Sequence, residues 1–223
     1  MSKMTTLTKT AKLFSRIVKS VAPPPKITVS EWADMYRKLS PENSAEPGQW
    51  RTDRAPYQRE IMDAVTDPQV EKIVVMTSSQ VGKSEILNNI IGYYIDVDPA
   101  PILLIQPTIE IAQDYSKRRI TPMVKDTEVL SGKVADSKTR DLNNTILMKV
   151  FPGGFLAMGG ANSPAGLASR PIRILLCDEV DRYPSSAGGE GDPISLAEKR
   201  TITFWNRKKI FTSTPTIRGA SRI

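Results

Sequence analysis

The chain has 223 residues, a net charge of +7, one cysteine and no histidine. That length suits one large domain or two small ones. The lack of histidine excludes Ser-His-Asp and Cys-His catalysis and any histidine metal site. The lone Cys177 excludes an intrachain disulfide, and no apolar run of roughly 18 residues is present to span a membrane. The basic balance suits a polyanion such as nucleic acid.

Residues 1–27 carry Lys3, Lys9, Lys12, Arg16, Lys19 and Lys26 and no acid. Leu7, Ala11, Phe14, Ile17 and Val18 recur at helical spacing until three prolines at 23–25 stop any helix. The segment reads as a basic tail, a DNA-contacting arm or a docking helix. It lacks the apolar core of a secretory signal. Residues 28–223 form the body of the chain. Ser30 suits an N-cap for a helix over 31–39, with Trp32, Met35, Tyr36 and Leu39 on its apolar face. An irregular connector follows over 40–48, and then loop to Pro56. Pro56 opens a helix over 56–65. In that helix Gln58 has an amide able to donate and accept at an adenine edge.

Residues 72–76 are an apolar, β-branched run. They lead into Thr77, Ser78, Ser79, Gln80, Val81, Gly82, Lys83 and Ser84. Strand, tight loop and helix start are the layout of a phosphate-binding loop, in which backbone N–H groups and the helix dipole favour an anion. Lys83 is placed to reach the β- and γ-phosphates of ATP, and Ser84 to hold Mg²⁺. The pattern calls for glycine at position 77, where this chain has threonine.

Downstream, the pattern predicts a helix over 85–95, a buried strand over 102–105 ending in Gln106-Pro107-Thr108, and a helix over 109–124. Two short strands, 145–150 and 155–158, flank a Pro-Gly-Gly turn and read as a hairpin. A third buried strand, 172–177, ends in Asp178-Glu179. A helix over 194–205 and a fourth strand over 208–211 lead into Thr212, Ser213 and Thr214. Strands alternating with helices imply an α/β fold with a largely parallel sheet.

In such a sheet the strands' carboxyl ends share one edge, so the phosphate loop and Asp178-Glu179 meet there. Asp178 is placed to complete the Mg²⁺ shell opposite Ser84, and Glu179 to deprotonate an attacking water. Thr212 to Thr214 reach the same edge as candidate γ-phosphate sensors. Arg170, after a run of small residues, is the first candidate for an arginine finger, in cis or from a neighbour. Arg118 and Arg119 are further candidates.

The motifs, in this order, resemble a tailed-phage terminase large subunit of the lambda-like type. They run from Val29-Ser30-Glu31-Trp32-Ala33 and Pro47-Gly48-Gln49-Trp50-Arg51 through Gly82-Lys83-Ser84-Glu85, Gln106-Pro107-Thr108 and Ser163 to Arg170. Cys177-Asp178-Glu179-Val180-Asp181-Arg182-Tyr183 and Ser213-Thr214-Pro215-Thr216 complete the series. In that family the first glycine of the loop is often replaced. The resemblance implies a P-loop NTPase of the RecA/ASCE-like class. Its expected architecture is a three-layer sandwich with a mainly parallel sheet and a β-hairpin insertion. It implies an ATP- and Mg²⁺-dependent motor packaging double-stranded DNA, working as a homo-oligomeric ring. The small subunit and the procapsid portal are the expected partners, in the host cytoplasm and without a membrane. The resemblance further implies that a nuclease domain follows the ATPase domain. The acid cluster of that nuclease is expected to lie beyond Ile223. A helicase-like translocase and a truncated remnant that only binds nucleotide or partners are the alternatives.

Overall fold

A computed structural model describes residues 26–42, 44–134, 144–163 and 170–223, together with Ala11 and Phe14. The rest of the basic segment 1–27 and residues 164–169 of the small-residue motif lie outside the described residues.

The first helix, α1 (Val29–Tyr36), starts two residues before the position that Ser30 suggests. Thr28 caps it: its side chain accepts from Glu31 N while Glu31 reaches back to Thr28 N. This reciprocal capping box outcompetes Ser30, which has no glutamate three residues on. The apolar stripe shifts with it. Val29, Trp32 and Ala33 are buried, whereas Met35 and Tyr36 are exposed. Short strands β1 (Lys38–Leu39) and β2 (Gly48–Gln49) then pair antiparallel across the connector. A 3₁₀ turn (Thr52–Arg54) leads to α2 (Tyr57–Asp63).

The main elements follow as β3 (Lys72–Met76), α3 (Lys83–Asp96), β4 (Pro101–Gln106) and α4 (Ile109–Tyr115). A π segment (Ser116–Ile120) joins α4 to α5 (Thr121–Asp126). Pro122 lacks an N–H and its ring would strike the carbonyl four residues back, which the wider π turn avoids. After α6 (Glu128–Ser131) come β5 (Met148–Phe151), β6 (Gly154–Gly160), β7 (Ile174–Asp178), α7 (Pro193–Glu198) and β8 (Lys208–Ser213).

The central sheet has six strands in the order β3-β8-β7-β4-β6-β5, all parallel except β5. The expected hairpin exists but is no insertion. Its second strand, β6, pairs in parallel with β4, so the hairpin forms one end of the sheet itself. β6 is long enough, at seven residues, to pair along both edges, with β5 on one and β4 on the other.

Alternation along the strands gives the sheet two apolar faces. Ile102, Leu104, Ile174, Leu176 and Ile210 pack with Trp32, Met62 and the α3 residues Ile86, Leu87, Ile90 and Ile91. Leu103, Ile105, Leu175, Cys177 and Phe211 pack on the other side with Val180, Tyr183, Ala187 and Ala197. The result is a three-layer α/β sandwich. Its parallel strands β3, β8, β7 and β4 all deliver their carboxyl ends to one edge.

Candidate functional site

The loop after β3 is held on both sides. Thr77 N donates to Ser213 O at 3.2 Å, stitching the loop to β8. Behind it, Gln58 Nε2 and Tyr57 Oη donate to Val81 O at 3.0 and 3.1 Å. Gln80 (φ 64°) and Gly82 (φ 83°) adopt left-handed backbone, which turns the chain sharply into α3. Glycine is required at 82 for a second reason: a Cβ there would lie 2.5 Å from Gln58 Nε2. Ser78, Ser79 and Gln80 are exposed along the loop, while Thr77, Val81, Gly82 and Ser84 are half-buried.

Lys83 is buried at the centre of the site. Its Nζ donates to Ser78 O at 3.1 Å and to Thr214 Oγ1 at 2.7 Å, and lies 3.7 Å from Glu179 Oε1. One ammonium thus joins three motifs that are distant in sequence. Asp178, at the end of β7, is 4% exposed. Its Oδ1 accepts from Thr212 Oγ1 at 2.7 Å and its Oδ2 from Gln106 Nε2 at 3.1 Å. Among the described residues no Lys or Arg pairs with this carboxylate. A buried carboxylate held only by neutral donors is costly unless a cation arrives. With the Ser84 hydroxyl, brought to the same sheet edge by β3 and β8, and the adjacent Glu179 carboxylate, the donor set is oxygen only, which fits Mg²⁺. Glu179 sits at φ 53° and ψ 49°. A non-glycine residue there carries roughly 1–2 kcal/mol of strain, a cost that concentrates at functional sites. Arg182 Nε lies 3.9 Å from Glu179 Oε2.

The hydroxyl residues after β8 divide their work. Thr212 is fully buried and orients Asp178. Ser213 Oγ accepts from Asp181 N at 3.2 Å. Only Thr214 reaches Lys83, so the sensor reading fits Thr214 and not Thr212. Asp181 in turn accepts from the N–H groups of Thr216, Arg222 and Ile223 and from the Thr216 and Ser221 hydroxyls. Burial raises the Asp181 pKa, but these hydrogen bonds outweigh it and hold the group at about 2.

The structure places Gln58 and Arg170 as follows. Gln58 is 3% exposed and backs the loop, with its amide nitrogen engaged by Val81 and its Oε1 without a partner. It also contributes to the lining of a neighbouring cavity. That cavity, of about 300 Å³, is lined also by Trp50, Arg51, Arg54, Tyr57 and Gln80. Arg170 is not at the loop. Its guanidinium lies 5.5 Å over the Phe155 ring, at the amino end of β6. That is the far edge of the strands, and four strand spacings from β3, about 19 Å across the sheet. Spacing in sequence carries no information about that lateral position. Of the other arginines, Arg118 pairs with Asp114 and Arg119 with Glu85.

Gln106 falls within a sequence motif without gaining a role there, and Tyr115 escapes the sequence reading. Gln106 did leave one signal, a polar residue ending an otherwise apolar buried strand. Tyr115 left none. It is buried, and its hydroxyl lies 3.2 Å from Ser84 O and 2.8 Å from Asn88 Oδ1. Burial, with Asp178 and Glu85 adding to it, raises its pKa well above the ordinary tyrosine value.

Comparison with known proteins gives a consistent outcome. The family described as "Phage terminase large subunit gpA, ATPase domain" matches residues 44–223. The terminase large subunit of Enterobacteria phage P21 is 28% identical over 202 residues, covering 90% of this chain and 31% of that protein. The large subunit of Escherichia phage lambda is 28% identical over 208 residues, covering 92% of this chain and 32% of the relative. The chain therefore spans about a third of the length of these relatives. In structure it is similar to the HK97 bacteriophage large terminase, with a TM-score of 0.64 at 15% identity over 84% of this chain and 38% of that one. The ATPase domain of the Thermus phage P74-26 large terminase gives 0.50 at 19% identity over 71% of this chain and 64% of that one. These structural likenesses show a fold shared with large terminases. Together with the family match over most of its length, they show that the chain belongs to the gpA-type ATPase domains of phage terminase large subunits.

Proposed function

We propose that this chain is an ATP-hydrolysing motor domain that drives double-stranded viral DNA into a procapsid. The observation that carries the reading is the position of Lys83 Nζ, shared between the loop, Thr214 and Glu179. ATP phosphates bound at the loop would exchange with Thr214 and Glu179 for the ammonium. Ser84 and Asp178 would hold Mg²⁺, which when bound neutralises charge on the transferring phosphoryl group. The Glu179 carboxylate, released from Lys83, would accept a proton from the attacking water. Thr214 would follow loss of the γ-phosphate through its bond to Lys83. The cavity flanked by Tyr57 would receive the base and ribose.

Arg170 suits a finger only toward a neighbouring subunit, which agrees with a homo-oligomeric ring. The small subunit, the portal and duplex DNA are the partners this reading implies, and the host cytoplasm its setting. The test is ATP turnover by this chain and its Lys83→Ala and Glu179→Gln variants, with and without duplex DNA. Turnover unchanged by either substitution would sink the assignment.

A further inference from the structure

One stretch, β4 with α4, touches both residues assigned above to the divalent cation, Asp178 at its carboxylate and Ser84 at its backbone. At its start, Gln106 is 2% exposed and donates Nε2 to Asp178 Oδ2 at 3.1 Å. At its end, the Tyr115 hydroxyl lies 3.2 Å from the carbonyl of Ser84. Pro107 and the Thr108 cap join the two rigidly: Thr108 Oγ1 accepts from Ile111 N and sets α4 directly on the end of β4. The strand itself is hydrogen-bonded on both sides, to β7 and to β6.

The chemistry of the Gln106 contact is telling. A lysine or arginine in its place would neutralise Asp178 and compete with a cation. An amide does neither. It fixes the direction of one carboxylate oxygen, as Thr212 fixes the other, and leaves the charge intact. A glutamine buried to this degree for packing alone would carry a needless polar group.

We propose that Gln106 and Tyr115 are positioning residues for the metal. They hold the Asp178 carboxylate and the first turn of α3 at the mutual geometry a hexacoordinate Mg²⁺ requires. The inference rests on the nucleotide-site reading above. Mg²⁺ tolerates little departure from octahedral geometry, so loosening either wall weakens metal binding more than nucleotide binding. Partners of this kind are worth roughly 10–100-fold in metal affinity.

The test uses the 223-residue chain and a fluorescent N-methylanthraniloyl ADP, titrated in EDTA and then across Mg²⁺ concentrations, with anisotropy as the readout. Gln106→Met keeps the volume and removes the donor. It is expected to leave the affinity measured in EDTA within about twofold, since Lys83 and the loop are untouched. It raises the Mg²⁺ concentration for half-maximal tightening by about tenfold or more. Gln106→Lys raises it further, because the new charge pairs with Asp178. Tyr115→Phe removes one oxygen and little packing, and moves the midpoint in the same direction by about threefold. It remains decisive if the glutamine variants do not fold. An unmoved Mg²⁺ midpoint in Gln106→Met or in Tyr115→Phe overturns the proposal. So does an equal loss of affinity with and without Mg²⁺, the mark of a merely structural role. Wild-type chain that binds no nucleotide, or Lys83→Ala that binds as well as wild type, overturns the nucleotide site and this inference with it.

Discussion

Replacing Gly82 by alanine tests how the phosphate loop is held. The residue lies at φ 83°, where a side chain costs roughly 1–2 kcal/mol. The new Cβ would also meet Gln58 Nε2 at 2.5 Å. The amide is the movable partner, but moving it breaks its bond to Val81 O, worth about 1 kcal/mol. The two effects sum to about 2–3 kcal/mol. For a chain of this length, 1 kcal/mol shifts the melting temperature by about 2–4 °C, so a fall of roughly 4–12 °C is expected. Thermal unfolding followed by circular dichroism measures it, and titration with a fluorescent nucleotide measures the loop's competence. The double variant Gly82→Ala with Gln58→Ala removes the clash without a further lost bond. It should melt no lower than Gly82→Ala alone, because residues in contact couple. A single variant that melts within about 1 °C of wild type, or a double variant that shows the full sum, would refute this account of the loop.

Three further outcomes follow from the geometry. Thr214→Val removes the hydroxyl nearest Lys83 and should lower ATP turnover about tenfold while nucleotide affinity stays within about threefold; an equal fall in both would place Thr214 in binding alone. Hydrogen bonds from Arg207 and Lys209 hold Glu71 at about 2 instead of 4.5, and those around Asp181 hold it at about 2 instead of 3.8. Because both values are depressed in the fold, their stabilisation is complete above the ordinary carboxylate range and is lost as pH falls from about 4.5 toward 2. Melting curves taken across that window should flatten in the Glu71→Gln and Asp181→Asn variants. Arg170→Ala should leave nucleotide affinity of the isolated chain within about twofold, as for a surface substitution, and a larger loss in direct titration would bring Arg170 back to the loop.

The sequence exposed those parts of the site that are local. Lys83 and Ser84 follow a β-branched strand, and Asp178 and Glu179 end another, so strand periodicity and the parallel-sheet rule suffice to bring them together. The strands of the central sheet were legible for the same reason, whereas the two-residue strands β1 and β2 were not. What escaped depends on lateral order and on buried hydrogen bonds. Nothing in the spacing of Arg170 reveals that β6 lies four strands from β3. Nothing near Gln58 reveals that its amide turns toward the loop's own backbone. Thr212, Ser213 and Thr214 look interchangeable along the chain, yet the register of β8 against β7 sends one to Asp178 and the next but one to Lys83. The cap at Thr28 was within reach, since Glu31 completes the box.

The insertion of β8 between β3 and β7 turns the sheet into a gauge. Both neighbours are bound to β8 by continuous parallel ladders, so the loop strand and the acid strand stand two strand spacings apart, about 10 Å. That span cannot narrow without shearing a ladder. The jaws around a polyphosphate are therefore set to one width, and closing on a ligand falls to the loops at their tips.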